Sequence, residues 1–425
     1  MSAFDNIIGY NKEKQVLMQL CDISRNRSKY AALGIQLPQG ILLHGEPGVG
    51  KTLMASALVQ EMGRKSFVCR KDRANESFID TIHDIFAQAK EHAPSVILLD
   101  DLDKFPADTD SRNPEELIAV QSGIDAVKGC DVFVIATAND LRVLPVSLRR
   151  AGRFDRILEV CTPDRKESVE IIRHYLADKV VAEDVEAEEI ARMLHGESCA
   201  ALESVLNAAG IFAGYENAPK IARVHIMRAI LQTIFHAEEA DCEMSQSLKL
   251  EVAFHEAGHA VTALSYDPQS VGMISIRPGK EEAHGITQLI MSDEYFQSYQ
   301  RMRERVITLL AGKAAVEIKF GRIDVGAVSD IERASKIINR FVTKYGVCGL
   351  DLYRCEDSFR FESGMQANRI LTECGAMLAR MYEEAKSVLH ANLASVEKFA
   401  DALMCNQTLY RKDIEAIQAA QSVAA

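Results

Sequence analysis

Short, unbroken apolar runs alternate with helical periodicity in the first part of the chain. Ile41-Leu42-Leu43-His44, Val96-Ile97-Leu98-Leu99 and Val132-Phe133-Val134-Ile135-Ala136 have strand length and show no polar alternation. Runs of that kind suit strands covered on both faces, so with the helices between them they predict an α/β domain built on a parallel sheet. A helical lead-in is expected over Ile7 to Arg27, and a helix from Leu53 to Met62 after the first run. Farther along, Val252 to Leu264, Val306 to Phe320 and Ile331 to Tyr345 carry helical patterns, and residues 366–420 read as amphipathic helices completing an all-α region. Gly285 to Ile290 is a short strand-like stretch, suited equally to edge pairing with an extended peptide and to plain edge packing. The acidic run Glu183 to Glu189 reads as a solvated helix face.

At 425 residues, two or three domains are expected. Hydrophobic residues make up 48% of the chain, enough for large cores. The net charge of −12 disfavours binding of nucleic acid or an anionic membrane by the whole molecule. Ten scattered cysteines without a C-x-x-C pair suggest buried thiols in a reducing compartment. With no run near 18 apolar residues and no signal peptide at Met1-Ser2-Ala3-Phe4-Asp5, a cytoplasmic protein without membrane insertion is expected.

Chemistry enters after the first apolar run. Gly45-Glu46-Pro47-Gly48-Val49-Gly50-Lys51-Thr52, with Leu53 opening the helix, is the phosphate-binding G-x-x-x-x-G-K-[ST] in a strand–loop–helix setting. Its backbone N–H groups and helix N-terminus would cradle ATP phosphates, Lys51 would reach the β/γ-phosphates, and Thr52 would ligate Mg²⁺. The second run ends in Asp100-Asp101, where Asp100 would hold Mg²⁺ and Asp101 would polarise the attacking water. Asn139, just past the third run, is placed to touch the γ-phosphate or that water. Arg149, Arg150, Arg153 and Arg156 form either a solvated surface or a set of fingers completing a neighbouring subunit's ATP site.

A second centre lies in Phe254-His255-Glu256-Ala257-Gly258-His259-Ala260. On a helix, His255 and His259 share a face and can offer two imidazoles to one Zn²⁺, while Glu256 can act as general base. A third ligand is needed, and spacing alone leaves Glu281, Glu282, His284, Glu317, Asp324 and Asp330 in competition.

The chain resembles the FtsH family of ATP-dependent zinc metalloproteases over nearly its whole length. The resemblance is carried by Leu37 to His44 with the P-loop, Ala93-Pro94-Ser95, Ala151 to Arg156, Ser198 to Glu203 with Asn207-Ala208-Ala209, and His255 to Ala260. It implies an AAA nucleotide-binding domain over 1–158, a helical lid over 159–240 and a mostly α-helical zinc peptidase domain over 245–425. It also implies that Ile8 and Gly9 lie at the adenine, that Cys199-Ala200 is the second sensor, that Asn139 is the first sensor, and that Arg153 and Arg156 are the fingers of a homo-hexameric ring. Gly326-Ala327-Val328-Ser329-Asp330-Ile331 resembles the family's Gly-Ala-x-x-Asp-Leu, which implies Asp330 as the third ligand.

Three departures from the family qualify the expectation. The family's N-terminal transmembrane helices are missing from this chain, so substrates would be protein chains delivered directly or by an adaptor. Asp101 stands where the family has glutamate, which predicts slow ATP hydrolysis. Lys71 to Ser77, at the pore loop, has no aromatic residue, which predicts a weak grip and a preference for loosely folded substrates. Two alternatives stand beside the ATP-dependent protease: a peptidase whose nucleotide domain is an assembly switch, and a non-proteolytic remodelling ATPase.

Overall fold

The computed structural model describes residues 2–35, 37–71, 78–106, 114–150, 152–236, 244–277, 285–290, 298–324, 326–347 and 364–422. The pore-loop residues 72–77 and the ligand candidates Glu281, Glu282 and His284 lie outside them, as does Ala151. The chain divides into two compact units, 1–223 and 224–425.

In the first unit, β1 (Gly40–His44), β2 (Lys65–Arg70), β3 (Ser95–Asp100), β4 (Val132–Ala138) and β5 (Arg156–Glu159) form one sheet in the order β2-β3-β4-β1-β5. All its pairings are parallel. The three predicted apolar runs are its central strands, almost wholly buried. The two edge strands were not legible as runs, because Lys65, Ser66, Arg70, Arg156 and Glu159 face solvent there. The helices of this unit are α1 (Asn11–Arg25), α2 (Arg27–Ala31), α3 (Lys51–Met62), α4 (Phe78–Glu91) and α5 (Glu115–Ala126), followed by α6 (Arg165–Leu176), α7 (Ala187–Met193) and α8 (Cys199–Tyr215), and α3 and α4 pack on the sheet.

The lead-in is shorter than the sequence suggests. Its helix starts at Asn11, because Gly9 and Tyr10 take left-handed backbone angles (φ 69° and 52°) that end any helical path from Ile7. The acidic run is also not all solvated: Glu189 is buried and takes the Arg223 guanidinium on both oxygens at 2.7 and 2.8 Å.

Register explains where the first site forms. Ile41 lies beside Ile135 and Val134 beside Ile97, so β1, β3 and β4 end at one edge. The loop after β1 and the carboxylate ending β3 therefore meet at the carboxyl end of the sheet.

A ninth helix, α9 (Arg223–Thr233), crosses the division. The second unit is built on α10 (Gln246–Tyr266), buried on nearly every side from Val252 to Leu264. α11 (Tyr299–Phe320), α13 (Gly364–Ala391) and α14 (Leu393–Asn406) pack on it, while α12 (Val328–Thr343) packs on α11 and α13. The approach of α10 to α11 is close: a Cβ at Gly258 would meet the Ala315 methyl at 2.6 Å and the Ala311 carbonyl oxygen at 2.7 Å.

This unit is not all-α in its last part. β8 (Thr408–Tyr410), between α14 and α15 (Arg411–Ser422), joins β6 (Val271–Ser275) and β7 (Ile286–Leu289) in an antiparallel sheet of order β7-β6-β8. Three residues are too few to interrupt a helical pattern visibly, and Thr408-Leu409-Tyr410 becomes a strand only because β6 offers its edge. Among the described residues, no helix is long and apolar enough to cross a membrane.

Candidate functional site

The period of α10 stacks His255 and His259 one turn apart with their rings edge to face and 4.6 Å between centroids. Their Nε2 atoms stand 2.9 Å from each other. Asp330, in the first turn of α12, brings Oδ2 to 3.3 Å from one and 3.2 Å from the other. Among the described residues, these three form the only group of His, Cys, Asp or Glu arranged to hold a metal ion.

Each imidazole is held by its other nitrogen. His259 Nδ1 lies 2.7 Å from the Thr308 carbonyl oxygen on α11, and His255 Nδ1 lies 2.5 Å from Asp324 Oδ2. Both Nε2 atoms are thereby left for the shared centre. Gly312 of α11 forms the wall: a Cβ there would meet the two Nε2 atoms at 2.5 and 2.6 Å. Glu256 is buried beside them, and the Thr287 hydroxyl of β7 donates to its Oε2 at 2.6 Å.

The electrostatics favour a cation at this point. Burial opposes charge on His255, but its bonds to Asp324 and Asp330 prevail and raise it to about 10. Burial would likewise raise Asp330, yet the bonds from His255 and His259 hold it well below the usual carboxylate range. Burial raises Glu256 above an ordinary glutamate. Two imidazole nitrogens facing each other at 2.9 Å need a positive charge between them, either a proton or a metal. Two neutral nitrogens and one carboxylate oxygen make a three-ligand donor set of the kind catalytic zinc sites use.

Among the described residues, the structure also separates the competing third ligands. Glu317 turns away to α13, where Lys386 donates to its Oε1 at 2.9 Å and Tyr382 to its other oxygen. Asp324 reaches the outer nitrogen of His255 rather than the shared centre. Sequence reasoning missed Thr287, Thr308 and Gly312. A backbone carbonyl leaves no trace in a sequence, and Gly312 was legible only as a small residue in a helix.

In the first unit, Lys51 is buried and donates to the Gly45 and Glu46 carbonyl oxygens at 2.8 and 2.7 Å. Burial lowers its pKa, against the pull of Asp101, Asp103 and Asp100, and its direct partners are neutral carbonyls that an incoming phosphate can replace. Thr52 donates to Asp100 Oδ1 at 3.0 Å, joining the two groups expected at Mg²⁺. Thr137, not foreseen from sequence, donates to the same oxygen at 2.7 Å and accepts the Asp101 N–H at 2.8 Å. Asp101 sits in a left-handed conformation (φ 56°) and pairs with Lys104 at 2.8 Å. Asn139 follows directly on β4, half-buried.

The P-loop and the expected second sensor are in contact, for the Ala200 N–H donates to the Gly48 carbonyl at 3.0 Å. A Cβ at Gly48 (φ 81°) would strike Ser198 Oγ at 2.8 Å and the Ala200 methyl at 2.9 Å. The segment holding Ile8 and Gly9 joins them through Tyr10, whose hydroxyl lies 3.3 Å from Cys199 Sγ. Glu46 and Pro47 are exposed on the loop, Val49 is buried beneath it, and Leu53 faces solvent from the first turn of α3. Arg153 is held within its own unit by Asp125 at 2.7 Å, Gln121 at 3.1 Å and the Ser147 carbonyl at 2.7 Å, whereas Arg156 is exposed on β5.

A parallel-sheet P-loop unit and a helical unit with an H-E-x-x-H centre define the class: a nucleotide-binding module joined to a metallopeptidase fold. Residues 41–162 match the model of the ATPase family associated with various cellular activities, and residues 242–417 match that of peptidase family M41. The chain is 30% identical to the ATP-dependent zinc metalloprotease FtsH of Caldicellulosiruptor bescii, across 96% of this chain and 70% of that protein. It is 29% identical to the FtsH proteins of an aster yellows witches'-broom phytoplasma and of Alkalihalophilus pseudofirmus, across 99% and 98% of its own length. It spans 64% and 65% of those two relatives. The chain belongs to the FtsH family of ATP-dependent zinc metalloproteases.

Proposed function

We propose that this chain is an ATP-dependent zinc metalloprotease that cleaves unfolded or loosely folded proteins. The observation that carries the reading is the convergence of His255, His259 and Asp330 on one point beside the buried Glu256. In this reading the AAA domain covers 1–158, the lid 159–240 and the peptidase domain 245–425. The protein is cytoplasmic and forms a homo-hexamer, fed by adaptors or by free substrate.

When bound, zinc supplies an acidified water and a positive charge for the oxyanion that develops on the scissile carbonyl. His255, His259 and Asp330 hold it. Glu256 takes the proton of the attacking water on its carboxylate and passes it to the leaving nitrogen. Burial raises its pKa, which makes it a stronger base than an exposed glutamate for the first half of that task. Thr287 steadies Oε2 and leaves Oε1 free for the proton. Because β7 lies at the edge of its sheet, an extended substrate can add to it by backbone bonds, whatever its sequence.

In the ATP site, Gly45 to Thr52 cradle the phosphates, Lys51 neutralises them, and Thr52 with Asp100 hold Mg²⁺. Ile8, Gly9 and Leu53 border the base. Asp101 and Asn139 orient the lytic water, and Arg156, with Arg153 once it leaves Asp125, completes the neighbouring site. Asp101→Glu should raise ATP turnover by up to about 10²-fold, since a longer carboxylate places that water better. An unchanged turnover, measured by phosphate release, would mean that the short side chain is not limiting.

The reading is tested by offering casein and a stably folded protein with ATP or with a non-hydrolysable analogue. Casein cleavage that depends on hydrolysable ATP is expected, with the folded protein cut slowly. Cleavage of neither substrate by the zinc-loaded protein would overturn the reading.

A further inference from the structure

The two imidazoles at the shared centre are supported differently. His259 Nδ1 faces a neutral backbone carbonyl, that of Thr308, whereas His255 Nδ1 faces a carboxylate, that of Asp324. Asp324 is itself fixed at both oxygens: Oδ2 lies on His255 at 2.5 Å, and Oδ1 accepts the Gly326 N–H at 2.8 Å. The pair is largely shielded from water, with 13% of the His255 side chain and 11% of the Asp324 side chain exposed. Asp324 and Asp330 lie close in the sequence and place a carboxylate at each nitrogen of His255.

We infer that Asp324 is a positioning residue for the metal centre, a buried carboxylate that orients His255 from behind and strengthens it as a zinc donor. This rests on the zinc reading above. A carboxylate on Nδ1–H fixes the tautomer whose Nε2 lone pair faces the centre. It also pushes electron density through the ring, making Nε2 a better donor than a carbonyl partner would. Asp324 adds a second negative charge to that of Asp330, so a bound dication meets two fixed charges. Because Gly326 holds the other oxygen, the carboxylate cannot swing round to ligate without breaking a backbone bond. That separates its role from the role of Asp330, whose Oδ2 faces both Nε2 atoms.

The test uses the full chain and measures zinc affinity by competition with a chromogenic chelator, for wild type, Asp324→Asn, Asp324→Ala and Asp330→Asn. Visible spectra of the cobalt(II)-loaded proteins are taken in parallel. Both Asp324 variants should bind zinc about 10- to 100-fold more weakly, as removal of such supporting groups does elsewhere. Asparagine should lose less than alanine, because its amide oxygen still accepts from Nδ1–H. The cobalt bands should shift while ATP turnover stays at the wild-type value. Wild-type affinity and an unchanged cobalt spectrum in Asp324→Asn would overturn the inference, and that variant decides the matter should Asp324→Ala not fold. Zinc lost from Asp324→Asn but kept by Asp330→Asn would make Asp324 a ligand and overturn the positioning role. A wild-type chain that takes up no zinc would overturn the zinc reading itself.

Discussion

Glu256→Gln is expected to lower casein cleavage by about 10²- to 10⁴-fold, the usual worth of a positioned general base, while zinc content and ATP turnover stay unchanged. The substitution keeps the shape of the side chain and an oxygen that can accept from the Thr287 hydroxyl, so the contact seen at 2.6 Å survives. What disappears is the ability to take a proton. Stability should not suffer. A buried carboxyl with a raised pKa favours the folded state only while it is protonated, and that benefit is lost as pH rises through its folded pKa. Above that pKa the uncharged glutamine therefore folds at least as well as the charged glutamate in the metal-free chain. Cleavage assays, zinc analysis and thermal melts together check this. Undiminished cleavage would move the base elsewhere, and loss of zinc would make Glu256 part of the metal's support.

Both centres were legible because each rests on short-range geometry. His255 and His259 meet through the helical period alone, and the P-loop is contiguous in sequence, so both groupings could be read before any fold was known. Asp330 was different. It comes from another helix, and spacing left six candidates; packing of α12 on α11 brings it to the histidines. The supporting groups were not legible for a related reason. Thr308 acts through a carbonyl that any residue would provide, and Thr287 acts through a hydroxyl on a strand whose pairing with β6 sets its position. The central strands showed themselves as apolar runs, whereas β2, β5 and β8 exist because a neighbour offers an edge, which no local pattern encodes.

Gly312→Ala should abolish the metal centre without unfolding the chain. An added Cβ would stand 2.5 Å from His259 Nε2 and 2.6 Å from His255 Nε2, closer than nonbonded carbon and nitrogen can approach. The atoms it meets are the tips of side chains, so α11 itself can remain in place, and alanine favours a helix over glycine by about 1 kcal/mol. The imidazoles must move instead, and neither is free to do so: one is tied to Thr308 on α11, the other to Asp324. Turning either ring breaks that bond and takes its Nε2 away from Asp330. Zinc affinity is therefore expected to fall by more than the roughly 100-fold that loss of a supporting bond costs, and cleavage with it. Helical circular dichroism and ATP turnover should persist, since the residues proposed for the ATP site all lie in the first unit. The contrast with Glu256→Gln is diagnostic, because one variant keeps zinc without cleaving and the other loses both. A Gly312→Ala protein that still held zinc at wild-type affinity would mean that the ion does not sit against this wall, and the geometry of the centre would have to be redrawn.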